Sequence, residues 1–171
     1  AARGGRCRGA SAPARVSDAL RGAGGMGRGE IILKFLQLGA SGCQIGTRFV
    51  CSNESIAHQN FKDIFLKSEA RNAQVSITLD QRLPVIPVRA IENKATQEFL
   101  EKQKDILKLL DDGKVSLKNA QLSIEHFWAG SLKKAVIDGD VENGSLMAGQ
   151  SVSLVKKIQS VEEIFLEIIQ Q

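Results

Sequence analysis

Apolar positions recur along this chain with two different periods, and they sort it into helix and strand candidates. Residues 29–39, GEIILKFLQLG, put Ile31, Ile32, Phe35 and Leu36 on one helical face, with Gly39 placed to stop the helix. SGCQIG, residues 41–46, reads as a short buried strand. SNESIAHQNFKDIFLKSEA predicts a second helix capped by Ser52 or Asn53, with Ile56, Phe61, Ile64 and Phe65 on or near its inner face. QVSITLDQ alternates Val75, Ile77 and Leu79 with polar residues and predicts a strand with one wet face. LPVIPVRAI reads as extended, and its prolines argue for a sheet edge.

Beyond residue 95 the periodicity is mainly helical. TQEFLEKQKDILKLLDDG predicts a long amphipathic helix ending at Gly113, and LSIEHFWAGSLKKAVIDGD another. GSLMAGQSVSLVKKI starts a helix from a small-residue loop. SVEEIFLEIIQQ opens with a capping box, Ser160 to Glu163, and closes the chain as a helix. No internal repeat is evident.

Charge changes this picture at one end only. Residues 1–29 carry six arginines and one aspartate, whereas the other 142 residues carry 17 bases and 18 acids, so the formal charge of +4 originates in the opening segment. That segment is rich in Arg, Gly and Ala and has no aromatic residue, so it cannot bury enough apolar surface to offset its ordering entropy. It is expected to be disordered. Three origins stay open: a transit peptide, a reading-frame or truncation artefact, or an Arg/Gly arm for nucleic acid, the last disfavoured because aromatics are missing. The body carries no polyanion-binding charge. Three cysteines without a CxxC spacing fit a reducing, cytoplasmic setting better than a disulfide framework, and neither His58 nor His126 has a partner at metal-ligating spacing. No apolar run reaches the length of a membrane span.

Chemistry concentrates in two glycine loops. Gly24-Gly25 precedes the first helix, and Gly46-Thr47 follows the first clear strand. In a parallel α/β barrel, consecutive strands point the same way, so both loops would lie on one face. Glycines let backbone N–H groups approach an anion, and Thr47 adds a hydroxyl. The spacing alone leaves an ordinary turn open beside an anion cradle.

The run LGASGCQIGTRFVCSNESIAHQNFKDIFL resembles the end of the flavin barrel in the nitronate monooxygenase family, which includes flavin-dependent enoyl-acyl-carrier-protein reductases. The matching residues are Gly24-Gly25-Met26, Gly39-Ala40, Gln44, Gly46-Thr47-Arg48-Phe49, Glu54 and His58. PVRAIENKAT and AGSLKKAVIDGDVENGSLMAGQSVSLV are similar to the reductase branch in particular. The resemblance implies an α/β fold: the C-terminal portion of a (β/α)8 TIM-barrel flavoenzyme plus its smaller substrate domain. On that reading residues 1–21 are a leader, 22–60 the last βα units, 61–158 the substrate-domain segment and 159–171 a helix returning to the barrel.

The resemblance further implies FMN, with its phosphate at Gly24, Gly25, Gly46 and Thr47, and with Met147, Gly149 and Gln150 of the MAGQ segment returning toward the flavin. Close helix packing through Ala148 and Gly149 is the alternative for that segment. NAD(P)H is the implied co-substrate of the reductase branch, and the substrate a small molecule or an acyl-carrier-protein-linked chain; the monooxygenase branch oxidises alkyl nitronates with oxygen. A homo-oligomer is possible, and nucleic acid and membrane partners are not expected. Arg48 is expected to form a structural ion pair and His58 to serve a helix surface. No catalytic or metal residue is assigned, because the family's glycine-rich loop with its catalytic histidine has no counterpart here. A barrel needs about 250 residues, so the chain reads as part of one behind an unrelated leader.

Overall fold

The computed structural model describes residues 21–83 and 87–170. The expected disordered leader therefore lies outside the described residues, except for Arg21, which opens the first strand. Strand β1 (Arg21–Ala23) leads through a glycine loop into helix α1 (Gly29–Gln37), and β2 (Gly42–Gln44) returns beside β1. The two strands are parallel, with Arg21 opposite Gly42 and Ala23 opposite Gln44. A one-turn helix, α2 (Thr47–Val50), follows β2 directly. Gly39, at φ +96°, ends α1 as the pattern predicts.

The second predicted helix starts later than its apolar pattern suggests. Helix α3 spans Gln59–Lys67, and its cap is His58, whose Nδ1 accepts from the Asn60 amide at 3.1 Å. Residues 52–57 form turns instead, because the Ser52 and Ser55 carbonyls accept from the buried Lys62 ammonium at 2.7 and 3.0 Å. Phe61 and Phe65 enter the core, but Ile56, on the turn, is 84% exposed.

A three-stranded antiparallel sheet comes next, in the order β3 (Ala73–Val75), β4 (Arg89–Ile91), β5 (Leu146–Met147). The strand expected over 74–81 is short because a side chain takes over its backbone bonds. After the Ser76 amide bonds the Val88 carbonyl, the Leu79 amide and the Ile77 carbonyl pair with the amide group of the fully buried Gln103. β4 is central rather than at the edge. It begins at Arg89, after both prolines, so neither removes a donor from the ladder.

Helices α4 (Lys94–Asp111) and α5 (Leu117–Val136) form an antiparallel hairpin over a second core of Leu83, Phe99, Ile106, Ala120 and Ile124. Gly113, at φ +68°, ends α4, and Ser116 caps α5, which starts at Leu117, five residues before the predicted start. Asn93 caps α4 through Thr96 and donates to the Val141 and Gly144 carbonyls, both at 2.8 Å. That anchoring explains why 144–158 is not the predicted helix: the chain runs as β5 along β4, then as a 3-10 turn over Gln150–Leu154. Helix α6 (Val161–Gln170) keeps the predicted Ser160–Glu163 capping box and packs on α1 and α2. Glu54 also accepts from the Val161 amide at 3.0 and 3.1 Å, which holds its carboxyl below the usual range.

The first core joins Cys51, Phe61, Phe65, Ala73, Ile91, Leu146 and Val152. Each fully buried Phe there contributes about 1.5–3 kcal/mol. Burial pushes the Cys51 thiol from 9.0 up to about 11. The folded chain therefore keeps this proton where the unfolded chain has lost it, and stability falls as pH rises from about 9 to about 11. Alkaline denaturation followed by circular dichroism should show that loss, and Cys51→Ala should flatten it while lowering stability at neutral pH.

Candidate functional site

The two glycine loops meet because β1 and β2 are parallel neighbours and the loops leave from the same end of the pair. Gly24, Gly25, Met26, Gln44, Ile45, Gly46, Thr47, Gly149 and Ser151 line one cavity of about 330 Å³. All four loop residues expected at the site, Gly24, Gly25, Gly46 and Thr47, stand on its wall.

The glycines serve different ends. Gly24 and Gly25 hold φ of +79° and +70°, a left-handed pair that residues with a Cβ adopt only under strain. Gly27 permits close packing, since a Cβ there would lie 2.6 Å from Leu154 and 3.2 Å from Ser151. Gly46 is under neither demand. Its φ is −108°, open to any residue, and a Cβ on it would meet no protein atom within 4 Å. The fold itself gives no reason for glycine at 46, and the space beside it adjoins the cavity.

The third wall comes from the MAGQ segment. The Gly149 amide donates to Thr47 Oγ1 at 2.9 Å, so this hydroxyl accepts internally and keeps its own proton for an acceptor in the cavity. From this segment the lining takes Gly149 and the buried Ser151. Met147 lies in β5 opposite Ala90, and Gln150 is exposed at the start of the 3-10 turn; neither lines the cavity. Ser151 has no signal in the sequence, because SVSLV reads as a continuing helix.

Arg48 is the cation nearest in sequence to the loop, and its guanidinium points elsewhere. It is 6% exposed, donates to the Gly27 carbonyl at 3.0 Å, and forms an ion pair with Glu167 of α6. The ion-pair expectation matches this geometry. The bond from Arg48, with a second from Gln159 at 2.7 Å, holds the Glu167 carboxyl below its ordinary range. The cavity is left with neutral donors: amides and hydroxyls. His58 is an exposed helix cap packed on Gly139, far in role from the glycine loops, and His126 is exposed on α5. Among the described residues, no cluster of three or more His, Cys, Asp or Glu could hold a metal ion, and no helix is long and apolar enough to cross a membrane.

This arrangement of loops can be set beside known proteins. The family model for nitronate monooxygenase matches residues 17–171. The chain belongs to the nitronate monooxygenase family. A probable nitronate monooxygenase of Staphylococcus aureus (strain JH9) is 28% identical over 140 residues, which are 81% of this chain and 35% of that protein. FabK from Thermotoga maritima is 29% identical with a TM-score of 0.66, over 88% of this chain and 42% of its own. A nitroalkane oxidase from Streptomyces ansochromogenes, at 24% identity and a TM-score of 0.57 over 91% of this chain and 40% of its own, shares the fold. The mixed helix and strand structure thus matches the TIM-barrel members of the family, and the chain spans about a third of the length of its curated relative.

Arg48→Gln should lower stability by roughly 2–3 kcal/mol, because it strands the Gly27 carbonyl and unpairs Glu167. Glu167→Gln should cost at least as much, since it leaves the buried Arg48 guanidinium without its counter-charge. The depressed Glu167 carboxyl contributes stability above its ordinary value of 4.5 and loses it as pH falls below that. Urea denaturation across that range should show a shallower acid limb in both variants.

Proposed function

We propose that the glycine cavity receives the phosphate of FMN and that the chain carries this part of an FMN-dependent oxidoreductase. The observation that carries the reading is Gly46: a glycine needed neither for its backbone angles nor for packing, with open space beside it at a wall of neutral donors. About 330 Å³ sits at the small end of ligand cavities, suited to a phosphate and its ester carbon rather than to a fused ring system. Gly24, Gly25 and Gly46 would present backbone to the phosphate, and Thr47 and Ser151 hydroxyls. When bound, FMN would supply hydride transfer to or from a substrate placed against its ring.

The reductase branch is the preferred reading, with NAD(P)H as reductant and an enoyl thioester on an acyl carrier protein as substrate. Its support is the 29% identity to FabK and the likeness of the PVRAIENKAT and MAGQ segments to that branch. Nitronate oxidation is the second reading, favoured by the curated relative's name. Turnover with a crotonyl thioester and NADH, against propyl-2-nitronate and oxygen, separates the two.

Flavin binding is testable on its own by fluorescence quenching of FMN. Gly46→Val should weaken binding at least tenfold with little change in melting temperature, because a Cβ there enters open space beside the cavity. Thr47→Val should lose about fivefold, the worth of one hydrogen bond near 1 kcal/mol, and Thr47→Ser should restore it. Binding should depend little on salt, since no side-chain cation lines the cavity. A Gly46→Val variant that binds as well as the parent would reduce this glycine to a turn.

A further inference from the structure

Residues 140–144 form a turn on which the start of α4 rests. Three of its carbonyls face that helix: Val141 and Gly144 accept from Asn93 Nδ2, both at 2.8 Å, and Glu142 accepts from the Ala95 N–H at 3.1 Å. The Ser145 N–H, next along the chain, bonds the Ser131 carbonyl of α5 at 2.9 Å, and β5 follows at Leu146. A change in this turn therefore reaches α4 and β5 together.

One residue holds the turn. Both carboxylate oxygens of Asp140 accept from Asn143 Nδ2 at 3.0 Å, and Oδ1 also accepts from the main-chain N–H of Asn143 at 3.1 Å. The Asp140 carbonyl accepts from the Gly144 N–H at 3.0 Å. Gly144 is buried and close-packed, since a Cβ on it would lie 2.4 Å from the Ala135 nitrogen.

Asn143 is the one asparagine in the chain that is followed by glycine. A glycine nitrogen in that position is unshielded by any Cβ, and it can attack the side-chain amide carbon. The new N–C bond closes a five-membered imide and ammonia leaves; water then opens the ring to aspartate or isoaspartate. The attack needs a Gly144 nitrogen free to lose its proton and an Asn143 amide free to swing toward it. In the folded turn Asp140 holds both, the nucleophile's hydrogen at its carbonyl and the leaving amide at its carboxylate. We propose that Asn143–Gly144 is a site of spontaneous deamidation, held off by Asp140 while the turn is folded, and that the modification unfastens α4 from the segment leading into β5. Aspartate at 143 sets a carboxylate against the two oxygens to which the amide had donated. Isoaspartate adds a methylene to the main chain just ahead of the Gly144 carbonyl that holds Asn93. The inference does not depend on flavin at the glycine loops.

The full chain is incubated at mildly alkaline pH, folded and in urea, and digested with trypsin. Deamidation is read as a gain of one mass unit at Asn143 in the peptide from Ala135 to Lys156. Isomerisation at Asp138–Gly139 in the same peptide leaves the mass unchanged, so it does not interfere. The folded parent should deamidate at least tenfold more slowly than the chain in urea. Asp140→Ala, which removes the side-chain bonds and leaves the carbonyl, should react at least fivefold faster than the parent while circular dichroism shows it folded. Asp140→Asn keeps one acceptor oxygen and should fall between the two, which covers the case of an alanine variant that unfolds. Asn143→Asp, the modified state made directly, should lower the melting temperature by a few degrees. Equal rates for the folded parent and the chain in urea would overturn the assignment. So would folded Asp140 variants as slow as the parent, or an Asn143→Asp chain that melts with it.

Discussion

The buried guanidinium of Arg48 is the constraint around which the glycine loops are arranged. A charge 6% exposed is tolerable only if its desolvation is offset by close partners, and Arg48 has two on different parts of the chain. The Gly27 carbonyl fixes the end of the first glycine loop, and Glu167 fixes the last helix. Arg48 itself sits one residue after Thr47, so one side chain ties both loops and α6 together. Gly27 is glycine because Leu154 and Ser151 occupy the space a side chain would need, with the Arg48 stem in contact beside them. The packing that positions the cavity and the pairing that neutralises the cation are the same set of contacts.

A consequence follows for the chemistry. Because the guanidinium is committed to a carbonyl and a carboxylate, an anion in the cavity meets amides and hydroxyls only. Such a cradle selects by distance and direction rather than by net charge. On the proposed phosphate reading glycine would matter there for closeness of approach, and the Gly149–Thr47 bond fixes the Thr47 hydroxyl at the cavity. The parallel register of β1 and β2 does the coarse placement, and the side-chain bonds do the fine.

The parts legible in the sequence are those whose causes are local. Gly24-Gly25, Gly39 and Gly113 take left-handed backbone angles, which only the residue itself decides. The Ser160–Glu163 box lies within one turn and forms as its spacing implies. Arg48 was legible as an ion pair but not its partner, which lies 119 residues away. The elements that differ from their pattern are those captured by distant polar groups. Lys62 takes the carbonyls of 52 and 55, Gln103 takes the backbone of 77 and 79, and Asn93 takes the carbonyls of 141 and 144. A lysine or glutamine in an amphipathic helix reads as surface, so period alone gives no hint that it will be buried and spent on another segment's backbone.

One short segment ties the antiparallel sheet to the glycine cavity. Ser145 is buried and its amide bonds the Ser131 carbonyl of α5, and Gly149 and Ser151 stand on the glycine wall. Between them Leu146 and Met147 are held in register against Ile91 and Ala90, and the Ala148 amide bonds the Arg89 carbonyl. Four extended residues reach at most about 14 Å, and these are pinned at nearly every step, so the segment cannot adjust at one end without drawing on the other. Asn93 adds a further anchor at Gly144, just ahead of Ser145. The segment that reads as the start of a helix is therefore a strut. Its extended form sets the distance from the sheet to Thr47, and a helix there would shorten it from about 3.3 Å to about 1.5 Å per residue and pull Gly149 away from the hydroxyl it orients.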